Sequence, residues 1–129
     1  MNRGFLLLLL GGVLSPLTAL ASERACTIEG TFSLMGQEIY SKDCIELHAE
    51  GKTDDLKRMC DGLAQTSAAL GGQAGTVTYS EKCPRPAQGA CVGLAQQPAT
   101  AYYYARSDED IIHLPASCKM IGGSWQEAN

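Results

Sequence analysis

The chain has 129 residues, with 10 basic and 14 acidic side chains for a formal charge of −4, 45% hydrophobic residues and six cysteines. An acidic chain without clustered Lys and Arg argues against nucleic acid or an anionic membrane as its partner. The length suits one domain with a modest core.

Residues 1–21 read as a secretory leader. Arg3 supplies the positive start, Phe5 to Leu10 opens an apolar stretch, and Ala19-Leu20-Ala21 is a small-residue cleavage site, which makes Ser22 the first mature residue. Gly11, Gly12, Ser15, Pro16 and Thr18 interrupt the apolar stretch and speak against an uncleaved anchor. Cleavage removes Arg3 and no acid, so residues 22–129, read as one domain, are more acidic than the whole chain. No second apolar run follows, so no membrane span is expected after cleavage, and the address is secreted or periplasmic. All six cysteines lie in the mature part. An even number in an exported chain implies disulfides, and no Cys-x-x-Cys supports a redox or metal role.

Cys26 to Leu47 has the pattern of a hairpin turning at Met35-Gly36. That turn sets Phe32 opposite Ile39 and Cys26 opposite Ile45, one position from Cys44. A Cys26–Cys44 bridge is nearly in register, yet the two side chains alternate out of phase unless a bulge at Gly30 or Lys42-Asp43 intervenes. Thr53 then caps a helix with Asp54 and Asp55 in its first turn. Leu56, Met59, Cys60, Leu63, Ser67 and Leu70 form its apolar stripe, and Gly71-Gly72 ends it. Gly62 inside this helix costs about 1 kcal/mol relative to Ala. That cost suggests close packing against the sheet.

Gly75 to Lys82 alternates as a half-exposed strand, Cys83 to Cys91 is a proline-rich loop, and Val92 to Ala95 is a short apolar strand. Thr100 to Arg106 is the chain's clearest strand. Ala101, Tyr103 and Ala105 share the face that can receive a helix, while Thr100, Tyr102, Tyr104 and Arg106 share the other. Ser107 with Asp110 makes a capping box leading to Ile111, Leu114, Cys118 and Ile121, with a break at Pro115 and a stop at Gly122-Gly123. The tail beyond Ser124-Trp125 is expected to fray. A faint echo joins the halves: cysteine on a helix, Gly-Gly, then a β-favouring residue, at Cys60 to Val77 and again at Cys118 to Trp125. It is too weak to define a repeat.

The expected fold is therefore α+β: a small antiparallel sheet with two helices packed on one face, held by disulfides. Six cysteines allow about 15 pairings. With both helices on one face, Cys60 pairs with Cys118 and Cys83 with Cys91, closing loops worth about 4 and about 2.5 kcal/mol by chain entropy. The competing set is Cys60 with Cys83 and Cys91 with Cys118.

Nucleophilic chemistry needs a positioned base, and only His48 and His113 are available, neither in a motif. Both read as ordinary packing or loop histidines. Asp108, Glu109 and Asp110 complement a helix start, since the alternating ligands of a calcium loop are missing, and neither metal nor cofactor is expected. Tyr102 and Tyr104 are the better functional residues, because phenols give stiff contact area with a polar tip. Arg106 and Trp125 extend that surface. These features point to a monomeric, non-enzymatic binding or inhibitory module whose partner is a protein or envelope component. A small secreted hydrolase using His48 or His113, or a thiol oxidoreductase, is the alternative.

Overall fold

Alternating side chains and a Met35-Gly36 turn with both residues at positive φ fold the first part of the described chain into a hairpin, β1 (Ala25–Leu34) and β2 (Gln37–Leu47). The register is the expected one, with Phe32 opposite Ile39 and Cys26 opposite Ile45. The computed structural model describes residues 22–127, so the leader reading of residues 1–21 lies outside it. After the hairpin come helix α1 (Thr53–Ala69), β3 (Thr76–Ser80), β4 (Gly89–Val92), a short turn of 3-10 helix (Leu94–Gln96), β5 (Ala99–Tyr103), α2 (Asp108–Ile111), α3 (Leu114–Met120) and β6 (Ser124–Glu127). The strands form one antiparallel sheet in the order β3-β1-β2-β5-β4-β6.

Three disulfides close the fold: Cys26–Cys60, Cys44–Cys83 and Cys91–Cys118. The expected Cys26–Cys44, Cys60–Cys118 and Cys83–Cys91 links are overturned, and of the competing set only Cys91–Cys118 is present. Parity is the reason. The β1–β2 register runs without a bulge, so Cys26 and Cys44 sit on opposite faces. Cys26 and Cys91 point to the face carrying the helices and reach Cys60 on α1 and Cys118 on α3. Cys44 points the other way, and Cys83 in the proline loop meets it there. Each of three small buried clusters contains one of these bridges. Small cores of this kind need such links, because little apolar surface is available per residue.

The connectivity divides into two ββαβ halves. β1 pairs with β2 and β3, β4 pairs with β5 and β6, and the halves join through β2 and β5. Cys26 lies opposite Ile45 and Tyr79, and Cys91 lies opposite Ala101 and Trp125, while Ile45 and Ala101 oppose each other. Topologically the halves are thus related by a two-fold through the Ile45–Ala101 pair. The Cys-helix-Gly-Gly echo in the sequence is its trace.

Several local expectations change. The fourth strand ends at Val92, where Gly93 takes a left-handed conformation, instead of beginning there. Gln126 and Glu127 do not fray: with Ser124 and Trp125 they form β6 on β4, the Trp125 ring lying over Gly89. The expected division of the helical stretch near Pro115 is present, a short α2 followed by a longer α3, with Pro115 in the first turn of α3 where its missing N–H costs nothing. The N-cap of α1 is Lys52, without a side-chain hydrogen bond, and not Thr53. Gly62 does not pack on the sheet, because it is exposed and an added Cβ would meet no atom within 4 Å.

Gly62→Ala is accordingly expected to raise the unfolding free energy by about 1 kcal/mol, read as a higher urea midpoint at unchanged slope. Gly89→Ala should do the reverse. Its methyl would overlap the Trp125 ring, so a lower midpoint and a red-shifted tryptophan emission are the expected outcome.

Candidate functional site

The two faces of the sheet differ in what covers them. On the face of Cys44, the Cys83–Ala87 loop lies over β2 and β5. Arg85 stacks on Tyr102 with the guanidinium carbon 3.9 Å from the ring centre, donates to its hydroxyl at 2.6 Å and pairs with Glu46 at 3.2 Å. Glu46 also accepts the Cys83 backbone N–H at 3.0 Å, and the Tyr104 hydroxyl donates to the Pro84 carbonyl at 2.8 Å. Tyr102 is left 9% exposed. The tyrosine face is roofed by a loop that the Cys44–Cys83 bridge pins down.

Arg106 and Trp125 do not join it. Strand β5 ends at Tyr103, so alternation no longer governs position 106. Gln88 clamps the Arg106 backbone instead, accepting its N–H at 2.8 Å and donating to its carbonyl at 2.9 Å. This turns the guanidinium to the helix face, where it donates to Asp43 Oδ2 at 2.6 Å and lies 5.2 Å from the centre of the Tyr103 ring. Trp125 is on that same face, its ring centre 5.8 Å from that of Tyr103.

The helix face holds an open trough of about 380 Å³. Its floor is formed by three strands, with Ile28, Gly30 and Phe32 along β1, Ser41, Asp43 and Ile45 along β2, and Ala101 and Tyr103 along β5. One wall is the side of α1 bearing Leu63, Thr66, Ser67 and Leu70, and Leu94 and Ile121 contribute at the other end. Leu63 and Leu70 belong to the apolar stripe expected from the sequence, yet each is 45% exposed, because only Leu56, Cys60 and Ala64 of the helix are buried. A second hollow beside Met59, Ala95 and Gln97 shares Leu63 and Leu94 with the first.

The trough exists because the helices cannot meet. Their disulfides tie α1 to β1 and α3 to β4, three strand spacings apart, or about 14 Å. Helices pack on one another at roughly 8–10 Å. The gap over β2 and β5 is therefore left open.

Asp43 and Arg106 are its electrostatic centre. Burial pushes the Asp43 carboxyl above the usual range, while the Arg106 charge and hydrogen bond and the Ser41 hydroxyl pull it down. The Tyr103 phenol is also raised, by burial first and then by the Asp43 charge. The pair is joined by one arm only. Asp43 Oδ1 and Arg106 Nε are both buried without a hydrogen-bond partner.

The histidines do not build a second site. His48 Nε2 lies 2.8 Å from Thr100 Oγ1, and its Nδ1 is 3.9 Å from Glu50 Oε1. That order of groups resembles a nucleophile relay, but Thr100 is mid-strand and 5% exposed, so a substrate carbonyl has no approach to its hydroxyl. The contact satisfies a buried hydroxyl. His113 is exposed at the start of α3. Asp108, Glu109 and Asp110 form the first turn of α2, where the Ser107 hydroxyl accepts from the Asp110 N–H at 3.1 Å, and among the described residues no three His, Cys, Asp or Glu side chains converge to hold a metal ion. The six sulfurs are all bonded and buried. Among the described residues no helix is long and apolar enough to cross a membrane.

Sequence reasoning missed Asp43, Gln88 and the trough itself. The signal it had was the width of the α1 stripe, which holds more apolar residues than a sheet beneath can bury. No protein-family model matches the chain, and no curated protein or solved structure matches it either.

The roofed face carries a pH prediction. Burial raises the Tyr104 phenol to about 12, from an ordinary value of about 10. A raised phenol favours the neutral form in the fold, so its contribution is complete below about 10 and disappears as pH climbs through about 12. Urea midpoints measured across this window should fall, and Tyr104→Phe should shrink the fall while costing about 1 kcal/mol at neutral pH through the lost bond to Pro84.

Proposed function

We propose that the chain is an exported binding module without catalytic chemistry of its own, acting in the periplasm or outside the cell, and that its ligand occupies the trough between α1 and α3. The observation that carries this reading is an apolar trough with one ion pair in its floor. Sites for small ligands are mostly apolar concavities of about 300–1,000 Å³ with a few convergent polar groups, and this trough is of that size and make-up. Leu63 and Leu70, half covered by the protein alone, would be covered fully by a ligand, at roughly 25 cal/mol for each Å² removed from water.

Export is supported from two directions. The leader pattern ending at Ala21 directs the chain to the secretory route, and three disulfides form and persist in oxidising compartments. The tyrosine surface is the weaker site, since a partner would have to displace the Arg85 loop from Tyr102 and Tyr104.

Protein recovered after export should begin at Ser22 and carry no free thiol. Titrated with a neutral naphthylamine fluorophore, it should give a saturable signal at one probe per chain. Leu63→Asp combined with Leu70→Asp should abolish that signal and leave the far-UV circular dichroism unchanged, because both side chains are exposed. A signal that never saturates, or one indifferent to the double substitution, would refute the trough as a binding site.

A further inference from the structure

The trough is polarised along its length. Along β2 and β5, Ser41, Asp43 and Tyr103, with Arg106 beside them, give way to Ile45, Ala101 and Leu94, while β1 adds Ile28, Gly30 and Phe32 along the edge. The two-fold relating the halves makes the contrast explicit. About the Ile45–Ala101 pair, Asp43 opposite Tyr103 corresponds to Ala99 opposite Leu47, so one end is charged where its counterpart is aliphatic.

Resting on the trough as the binding site, we infer that it takes an uncharged single-chain alkyl amphiphile. The headgroup, an amide or a hydroxyl, offers a hydrogen-bond donor beside an acceptor and docks on Asp43 and Arg106, and the alkyl chain runs over Ile45 and Ala101 toward Leu94.

Three observations lead there. The first is the pair of unpartnered atoms. Asp43 Oδ1 can only accept and Arg106 Nε can only donate, so a group that does both completes them together. A buried polar atom left unpaired costs about 1–3 kcal/mol, and a headgroup recovers that. The pair does not close on itself, because Gln88 fixes the Arg106 backbone and the guanidinium lies over the Tyr103 ring. The side chains of Asp43 and Arg106 are 25% and 27% exposed while Oδ1 and Nε themselves are buried, so docking a headgroup on those two atoms requires the side chains to turn toward the trough.

The second is charge. Carboxylate and guanidinium together leave the site neutral. An anionic headgroup would confront Asp43 and a cationic one Arg106, each in surroundings already dry enough to raise the Asp43 carboxyl. A neutral headgroup avoids both penalties.

The third is size. A trough of about 380 Å³ suits a small ligand and is too small for a helix about 10 Å across. Leu94 walls the far end, in a turn where Gly93, Ala95 and Gln96 all have positive φ (71°, 50° and 59°). Left-handed conformations at Ala and Gln store strain of the sort found at ligand clamps. The hollow past Leu94, beside Met59 and Ala95, gives a longer chain somewhere to go.

The test is displacement of the naphthylamine probe at neutral pH by four ligands sharing one alkyl chain: decanamide, decanol, decanoate and decyltrimethylammonium. Decanamide and decanol should displace it at concentrations about tenfold below either ion. Asp43→Asn should bring decanoate level with or below decanamide, since the uncompensated guanidinium then favours an anion. Ser67→Phe, a half-buried wall position outside the core, should block all four ligands and keeps the test decisive should Asp43→Asn fail to fold. Equal displacement by all four, or preference of the unsubstituted protein for an ion, overturns the headgroup assignment and leaves the trough standing. Absence of saturable probe binding overturns both.

Discussion

Everything on the helix face follows from where two disulfides are anchored. Cys26 and Cys91 are on β1 and β4, each flanked by another strand on either side, and their partners are on α1 and α3. Had the helix cysteines bonded each other, the helices would have been drawn together over the central strands and sealed that surface. Bonded to the sheet instead, each helix is held above its own half. The middle is uncovered by a covalent constraint, and the two exposed leucines of α1 border that gap.

The third bridge has the opposite effect on the opposite face. Cys44–Cys83 pulls a proline-rich loop down on β2 and β5, and Arg85 fills the space over Tyr102 while Glu46 takes up the loop's N–H at Cys83 and the Arg85 charge. Charge and phenol are partly withdrawn from water here, which strengthens their interaction relative to an exposed pair. Raised phenols at Tyr102 and Tyr104 are the electrostatic sign of that cover. One sheet thus has a closed side and an open side, decided by which face each cysteine points to.

Much of this was legible from residues alone, and the failures have physical causes. Period-two alternation and the Met35-Gly36 turn gave the β1–β2 register, and the capping pattern at Ser107 located α2. Parity places Cys26 and Cys44 on opposite faces, and with no bulge in the β1–β2 register the two cannot pair. Tertiary contacts settled what local pattern could not. The Gln88 clamp rotates Arg106 off the phenol face after β5 has ended, and pairing with β4 makes a strand of Ser124–Glu127, a stretch too short to declare itself. The site was invisible for a related reason: Asp43 reads as a turn or bulge residue until β5 is laid beside it and Arg106 is brought over the top.

The two-fold organisation bears on why a site arises at this place. A groove centred on a symmetry axis between repeated halves has matching ends, and an axis-symmetric apolar floor would hold a ligand without orienting it. Here the second half departs from the first where it matters. α3 stops at Met120 while α1 continues well past Cys60 to Ala69, and Asp43 with Tyr103 stands against Ala99 with Leu47 across the axis. The longer helix supplies a wall in which Leu63 and Leu70 flank Thr66 and Ser67, and Asp43 with Arg106 supplies a charged pair. Burying an aspartate against one arm of an arginine costs stability that an aliphatic pair like Leu47–Ala99 would not, because desolvation of a charge is only partly offset by its partner. A stability argument alone gives no reason to place that pair in the floor of an open trough. The oriented ligand proposed above would supply one.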